Sequence, residues 1–592
     1  VTLRPSAVVA ALLALPSAPL AADPEPPSPP PPTPAPLFVD VTDAAGIDFR
    51  HRSGAAGRKY LPETMGAGGC VLDADGDRRL DLYLVQSGPL PAAGGPAAGG
   101  PRPTNRLYRN LGTADGRPAF EDVTDGSGAG DPSYGQGAVC GDVDGDGDDD
   151  VYLTNFGANV LLRNDGEDGR IAFTDVTVEA GVGDPRWSSS AVLFDPDRDG
   201  DLDLYVVDYL DFTLESHRDC RHLQAGALLY CHPDVYPPAA DVFYRNLGVD
   251  AEGRVRFADA TAAAGLTDRD GKGLGAVAAD LDGDGWSDLY VTNDSTPNFL
   301  YRNLGAAGGE DGVPRFEEVG LFLGVAYNAQ GKTEAGMGVD AGDVDGDGDL
   351  DLFVTNLSLE TNALYLRGDA GFVHATRDAG LHAPSFKVLG FGTHLADVDA
   401  DGDLDLVVIN GDLHDNVELL NDALRQEQPG QVFVNDGAGH FTAMPASAVG
   451  DPATPRVGRG SMIADFDDDG RLDLVVSYND DRARFYHNRA EPKSWIGFRL
   501  EGASENTGAL GARVTVEAGG RRQLRELRLG SSYQTSSDPR LHFGLGDADR
   551  AQKVTIRWPD GRVRILEDLP AGRYHTVRQE PSATAVDRPS SE

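Results

Sequence analysis

The stretch Cys140–Asn155, CGDVDGDGDDDVYLTN, places six aspartates within the nine residues from Asp142 to Asp150 and then turns into an apolar, alternating run. So much like charge at one point costs energy unless a cation sits among the carboxylates. The same nonamer recurs at Asp73, Asp195, Asp280, Asp343, Asp397 and Asp465, giving seven copies in all. Each carries Asp at loop positions one, three, five and nine. These are Asp73, Asp75, Asp77 and Asp81; Asp142, Asp144, Asp146 and Asp150; Asp195, Asp197, Asp199 and Asp203; and Asp280, Asp282, Asp284 and Asp288. The remaining sets are Asp343, Asp345, Asp347 and Asp351; Asp397, Asp399, Asp401 and Asp405; and Asp465, Asp467, Asp469 and Asp473.

Alternate residues of a tight glycine-containing loop can aim three carboxylates at one point. A backbone carbonyl near position seven can add an oxygen, and the ninth Asp can close the shell with both of its own. Hard oxygen ligands in that number suit Ca2+, with up to seven ions expected, better than the small rigid octahedron of Mg2+. An EF-hand would need Glu at position twelve between helices, but Leu153 and Val291 stand there in strand-like DVYLTN and DLYVTN. A calcium-binding β-helix would repeat every nine residues. Solvated acidic turns are the plain alternative, weakened by seven copies with unchanged ligand positions.

The copies start 69, 53, 85, 63, 54 and 68 residues apart, too far for a solenoid turn and suited to a four-stranded blade. A glycine-punctuated strand precedes each loop (GQGAVCGD, GLGAVAAD) and an apolar strand follows (DLYVV, DLFVT). A third strand reads NRLYRN or NFLYRN, and a fourth FEDVT or FTDVT. The expected fold is all-β, a seven-bladed β-propeller over residues 37–490. LFVDVT from Leu37 has the phase of a fourth strand, and the seventh repeat ends on the third-strand RARFYHN. Pairing Arg484–Asn488 with Phe38–Thr42 would complete one blade from both ends of the chain and remove two open edges.

The DxDGDG repeats resemble FG-GAP/VCBS repeats of the integrin-α-like superfamily. ENTGALGARVTV, GSSYQTSSDPRLHFGLG and VTIRWPDGR resemble the ASPIC/UnbV domain. Together, over about residues 37–579, the chain resembles the cartilage-acidic-protein-like (CRTAC-type) family. Arg78, Arg198 and Asp468 depart from the loop glycines, and FEEVGLFLG, read with the fifth repeat, lacks the usual AG turn. The loops from Asp142, Asp280 and Asp343 therefore rank as the tightest sites.

Residues 493–579 read as a small β-sandwich or barrel-like domain, with hairpins turning at Gly519–Gly520 and Pro559–Gly561. This segment carries +5, against −49 for the rest of a chain of net −44. It can dock electrostatically on the acidic repeats, meet an anionic glycan or, as readily, present an ordinary solvated mixed surface, with Arg557, Trp558 and the loop 531–538 as candidate contacts. The acidic balance disfavours nucleic acid and anionic membranes.

Residues 1–22 have the layout of a secretory signal peptide, followed by a proline-rich spacer over 23–36; residues 580–592 read as a disordered tail. No stretch resembles a membrane span, and a soluble monomer, secreted or periplasmic, is expected. Cys220 and Cys231 lie in the insertion that lengthens one repeat, and a disulfide is favoured there over a zinc site with His217, His222 or His232. Cys70 and Cys140 are expected as buried free thiols.

No catalytic residue is assigned. AYNAQGKT at 326–333 lacks the first glycine of a phosphate loop, and His394 and His414 read as structural or surface groups. The expected role is a calcium-binding scaffold or adhesion-type interaction protein. The alternative is a polysaccharide-binding or polysaccharide-cleaving protein, for which four Trp in 592 residues supply few stacking platforms. An accessory role in secondary-metabolite assembly is implied by the UnbV resemblance alone.

Overall fold

The computed structural model describes residues 35–90, 102–267, 270–305, 312–503 and 505–581. Residues 1–22, expected as a signal peptide, and nearly all of the expected spacer (23–36) and tail (580–592) lie outside these residues.

The repeats form seven sheets, each with four antiparallel strands, and the first gains a fifth, parallel strand where Thr535–Ser536 pairs with Gly69–Leu72. The second strand begins on the ninth aspartate in every one, as in Asp81–Leu84, Asp150–Asn155 and Asp351–Val354. The loop therefore ends where the polar spacing gives way to period-two apolar alternation. Sheet one runs Gly69–Leu72, Asp81–Leu84, Arg106–Ala114 and Arg117–Asp122. Sheet seven takes three strands from Gly458–Ala464, Asp473–Tyr478 and Arg484–Asn488, and its fourth from Phe38–Asp40, with Phe38 opposite Asn488 and Asp40 opposite Tyr486.

First strands are buried along both faces, because each lies against the first strand of its neighbours, and Gly69–Leu72 lies against Gly458–Ala464 as well as Gly135–Gly141. The apolar cores sit between successive sheets. Leu72, Tyr83 and Leu107 of sheet one pack with Cys140, Val151 and Leu153 of sheet two. Val71, Leu82 and Tyr108 on the other face pack with Met462, Val475 and Phe485 of sheet seven.

FEEVGLFLG lies in sheet four rather than a fifth repeat. Without an AG turn it still ends a four-residue helix on a left-handed glycine, Gly324 at φ 87°.

The C-terminal segment is a sandwich of one four-stranded and one three-stranded sheet. Arg513–Ala518 pairs with Arg521–Glu526, and Arg550–Arg557 with Val563–Pro570, the two hairpins expected. Ser494–Glu501 pairs in parallel with Tyr574–Arg578, tying the domain's ends together.

Cys220 and Cys231 form a disulfide. Cys70 and Cys140 are not free thiols: they too are bonded, with Cα atoms 5.9 Å apart. Their positions, 70 residues apart, fall opposite each other on the adjoining first strands of sheets one and two, which one-dimensional spacing cannot reveal. Among the described residues no helix is long and apolar enough to cross a membrane.

Candidate metal centres and the domain that covers them

Each Asp-rich loop is wound by its own carboxylates. The first aspartate accepts the amide of position six, as in Gly147 to Asp142 at 2.9 Å, Gly285 to Asp280 at 3.0 Å and Gly470 to Asp465 at 2.9 Å. The fifth accepts the amide of position seven, as in Trp286 to Asp284 and Asp349 to Asp347, both 2.9 Å. Winding this tight needs left-handed backbone at position four, where Gly145, Gly283 and Gly346 stand. Arg198, Ala400 and Asp468 adopt the same conformation without a glycine, at φ 60°, 58° and 55°, so the substituted loops keep the common shape.

The ninth aspartates are buried anchors. Asp150 Oδ1 accepts the amide of Asn164 on the third strand (2.8 Å), and Oδ2 the amide of Val143 within the loop (2.9 Å). Asp288, Asp351 and Asp405 repeat this arrangement. Burial pushes Asp81 and Asp351 up to about 8 and Asp405 to about 9.

After these bonds, several buried carboxylate oxygens have no hydrogen-bond partner: Oδ1 of Asp73, Asp195, Asp280 and Asp343 at position one, and Oδ1 of Asp144 and Asp467 at position three. Ligand atoms of Asp142, Asp144 and Asp146 lie within 4.8 Å of one another, and so do those of Asp195, Asp197 and Asp199 and of Asp280, Asp282 and Asp284. Converging, partnerless anionic oxygens fit a hard divalent cation. The loops are not equivalent. Arg109 lies 2.5 Å from Asp75, Arg245 3.1 Å from both Asp197 and Asp199, and Lys493 3.0 Å from Asp399.

The asparagine closing most third strands carries a role that sequence reading missed. Asn164 Nδ2 donates to the Ala74 carbonyl of the preceding sheet's loop (3.1 Å), Asn246 to Val143 (2.8 Å), Asn303 to Pro196 (2.9 Å), Asn435 to Val344 (2.8 Å) and Asn488 to Val398 (2.8 Å). Asn110 donates to Phe466 of sheet seven (2.9 Å). In sheet five Arg367 substitutes, its Nε donating to Leu281 at 3.1 Å. The recurring YRN and LRN tails were the available signal.

The C-terminal domain lies on the loops themselves. Arg513 pairs with Asp280 (2.9 Å), Thr507 donates to Asp142 (2.5 Å), the Gly544 amide to Asp397 (3.0 Å) and Tyr574 to Asp465 (3.2 Å). Arg540 reaches the Asp465 carbonyl and pairs with Asp468 at 2.6 Å. Electrostatic docking, one of the alternatives that the charge split left open, is thus built residue by residue. At Gly544 a Cβ would fall 2.1 Å from Asp397 Oδ2, so only glycine admits this approach.

The loop 531–538 is not an external contact: it threads among the first strands. Gln534 O accepts the amides of Gly69 and Ala138, and Gln534 N donates to Ser190. Ser532 exchanges amide bonds with Val339 and accepts from Thr393, while Thr535 donates to Ser461. Trp558 is likewise no contact residue, being 3% exposed in the core of the sandwich. Arg557 is exposed beside the Gly285 loop.

Neither His394 nor His51 carries catalytic geometry. Buried His394 hydrogen-bonds Ser461. His51 Nδ1 accepts the Asp480 amide, which puts the ring proton on Nε2, where it is donated to Ser87. That polarity is the reverse of a base activating a nucleophile.

The FG-GAP-like repeat family matches residues 142–206, 280–354, 343–408 and 397–476, and the ASPIC and UnbV family matches residues 502–584. Cartilage acidic protein 1 of Homo sapiens is 25% identical over 466 residues, 74% of this chain and 62% of that protein. The Mus musculus protein of that name is 26% identical over 449 residues, 72% and 62%. The chain therefore spans about three-fifths of the length of these relatives. A solved Agrocybe aegerita structure, described as recognising non-reducing terminal N-acetylglucosamine, aligns at TM-score 0.37 and 17% identity over 69% of this chain and 91% of that one. FG-GAP-like repeats, an ASPIC and UnbV domain seated on them, and Cartilage acidic protein 1 relatives aligned over 72–74% of this chain together support a cartilage-acidic-protein-like family for it.

Proposed function

We propose that this protein is an exported, calcium-stabilised seven-bladed propeller that serves as an adhesion-type scaffold. The observation that carries the metal assignment is the set of buried position-one oxygens without partners, at Asp73, Asp195, Asp280 and Asp343. A carboxylate oxygen so buried is costly unless a cation completes it, and Ca2+ accepts the irregular oxygen shell these loops offer. Full loading would carry the net charge from −44 to −30.

Closure of seven blades into a ring is supported by the pairing of Phe38–Asp40 with Arg484–Asn488, by the core shared between sheets one and seven, and by the Asn110 bond to Phe466. Two disulfides support export to an oxidising compartment. Because the basic domain covers the metal loops, partners would meet the opposite end of the sheets, where the insertion stapled by Cys220–Cys231 stands. Docking of the domain and loading of the loops would together fix that surface.

The test is calorimetric titration of the chain from Asp23 onward with Ca2+, with thermal unfolding at each step. Several ions bound and a large rise in melting temperature are expected. No binding and no stabilisation would return the aspartates to the status of solvated turns.

A further inference from the structure

The end of the sheets away from the aspartate loops carries a cavity of about 500 Å3 that a scaffold does not require. Its floor is made where first strands begin, by Met65, Leu274, Met337 and Phe391. Its walls come from residues just past the ends of second strands and from two insertions, one stapled by Cys220–Cys231 and one around Val417–Leu424. Leu359 and Leu420 stand on the rim 44% and 48% exposed, so the apolar lining continues to the solvent. A largely apolar hollow of this size with a few polar groups is the usual form of a small-molecule site, and it is too small for a folded partner.

Two carboxylates line it, Asp294 and Asp412, and both are met by neutral donors. Asp294 accepts from Tyr209 Oη (2.6 Å) and Ser295 Oγ (2.9 Å). Asp412 accepts from Ser358 Oγ (3.1 Å) and the His414 amide (3.1 Å). The cations nearby are committed elsewhere. Lys272 pairs with Asp234 and Arg221 with Asp219, while buried Arg459 donates to the carbonyls of Thr64, Gly411, Gly458 and Asp412 and stacks on the Phe391 ring at 4.1 Å from its centre. An apolar hollow with two carboxylates and no cationic side chain bound to them is complementary to an organic cation.

We propose that this cavity binds one small, largely apolar organic cation, its body against Leu274 and Met337 and its charge toward Asp294 and Asp412. The assignment is independent of whether the aspartate loops hold calcium.

Fluorescence titration of the full chain with thioflavin T, a cationic apolar dye, and with anionic 8-anilinonaphthalene-1-sulfonate tests it. Saturable binding of one thioflavin T per chain is expected, at least tenfold tighter than the anionic dye. Met337→Trp, which fills the hollow, should weaken it at least tenfold, and Asp294→Asn several-fold while leaving uptake of neutral N-phenyl-1-naphthylamine unchanged. If Met337→Trp lowers the melting temperature, Leu420→Arg on the solvent-exposed rim reads the same question by placing a cation at the mouth. Dye uptake that does not saturate, that is unchanged in the well-folded variant, or that favours the anionic dye overturns the proposal.

Discussion

Asn110 Nδ2 donates to the carbonyl of Phe466 at 2.9 Å, across 356 residues of sequence, and to the carbonyl of Leu80 at 3.0 Å. One side chain thus holds its own loop and the loop of the sheet formed last in the chain. Asn110→Ala would leave two buried carbonyls unsatisfied, at about 1–3 kcal/mol each. A loss of about 2–4 kcal/mol in denaturant unfolding is expected, against less than about 0.5 kcal/mol for the exposed neighbour in Leu111→Ala. Equal effects of the two substitutions would show that the bond between sheets one and seven contributes nothing.

Metal-free protein should lose stability with rising pH, and calcium-loaded protein should not. Burial raises Asp397 to about 7, Asp81 and Asp351 to about 8, and Asp405 to about 9, above their values in an unfolded chain. Between the unfolded and folded values the native state binds more protons, so the metal-free fold loses stability as pH rises from about 4 to about 9. Calcium needs the same carboxylates ionised, so the stabilisation it brings grows over that window. Melting curves in chelator should move down from pH 6 to pH 8.5, and the gap to the calcium-loaded curve should widen. Parallel curves would mean that protons and calcium do not share these groups.

The loops should load in order. No cationic side chain among the described residues pairs with the third or fifth aspartate of the loops from Asp280 and Asp343. Arg245 already bridges Asp197 and Asp199 at 3.1 Å. A guanidinium in place must be displaced or must weaken the ion's field. Asp345→Asn should therefore remove one of the tightest ions from the calorimetric titration, and Asp197→Asn only one of the weakest. The reverse result would show that arginine does not set the ranking.

The disulfide between Cys70 and Cys140 closes a span of 70 residues. By loop-closure entropy it contributes at most about 4 kcal/mol, against about 3 kcal/mol for Cys220–Cys231, whose separation is 11. The double serine variants should lose stability in that order under denaturant. A larger loss at 220 and 231 would locate the effect in native packing of the insertion instead.

What could be read from the sequence was what repeats locally. Asp at positions one, three, five and nine marks the loops, alternation after the ninth Asp marks the second strands, and Gly519–Gly520 marks a hairpin whose pairing is as expected. Relations between distant segments were hidden. Asn246 reaches Val143, 103 residues back, and Gln534 reaches Gly69 and Ala138, because the stacking of sheets, and not any local spacing, brings these groups together. Ser531–Asp538 looked like an exposed polar loop for the same reason: its serines and Gln534 satisfy amides and carbonyls of first strands that have no further sheet partner on that side.

The joint between the two domains can be tested at one ion pair. Arg513 Nε lies 3.0 Å from Glu526 Oε2 and Nη1 2.9 Å from Asp280 Oδ2, while Glu526 Oε1 accepts the Asp280 amide at 3.0 Å. The Glu526 side chain is 1% exposed, so Arg513→Leu would strand a buried carboxylate beside an acidic loop. Breaking such a pair from one side costs about 3–5 kcal/mol, much of it the desolvation of the charge left behind. Glu526→Gln keeps the acceptor for Asp280 and should cost less. In the double variant the stranded charge is gone, so its loss should fall short of the sum of the single losses by at least about 1 kcal/mol. Additive losses would mean that Arg513 stabilises the joint by packing its stem, and that the charge complementarity between the basic domain and the acidic loops is incidental there.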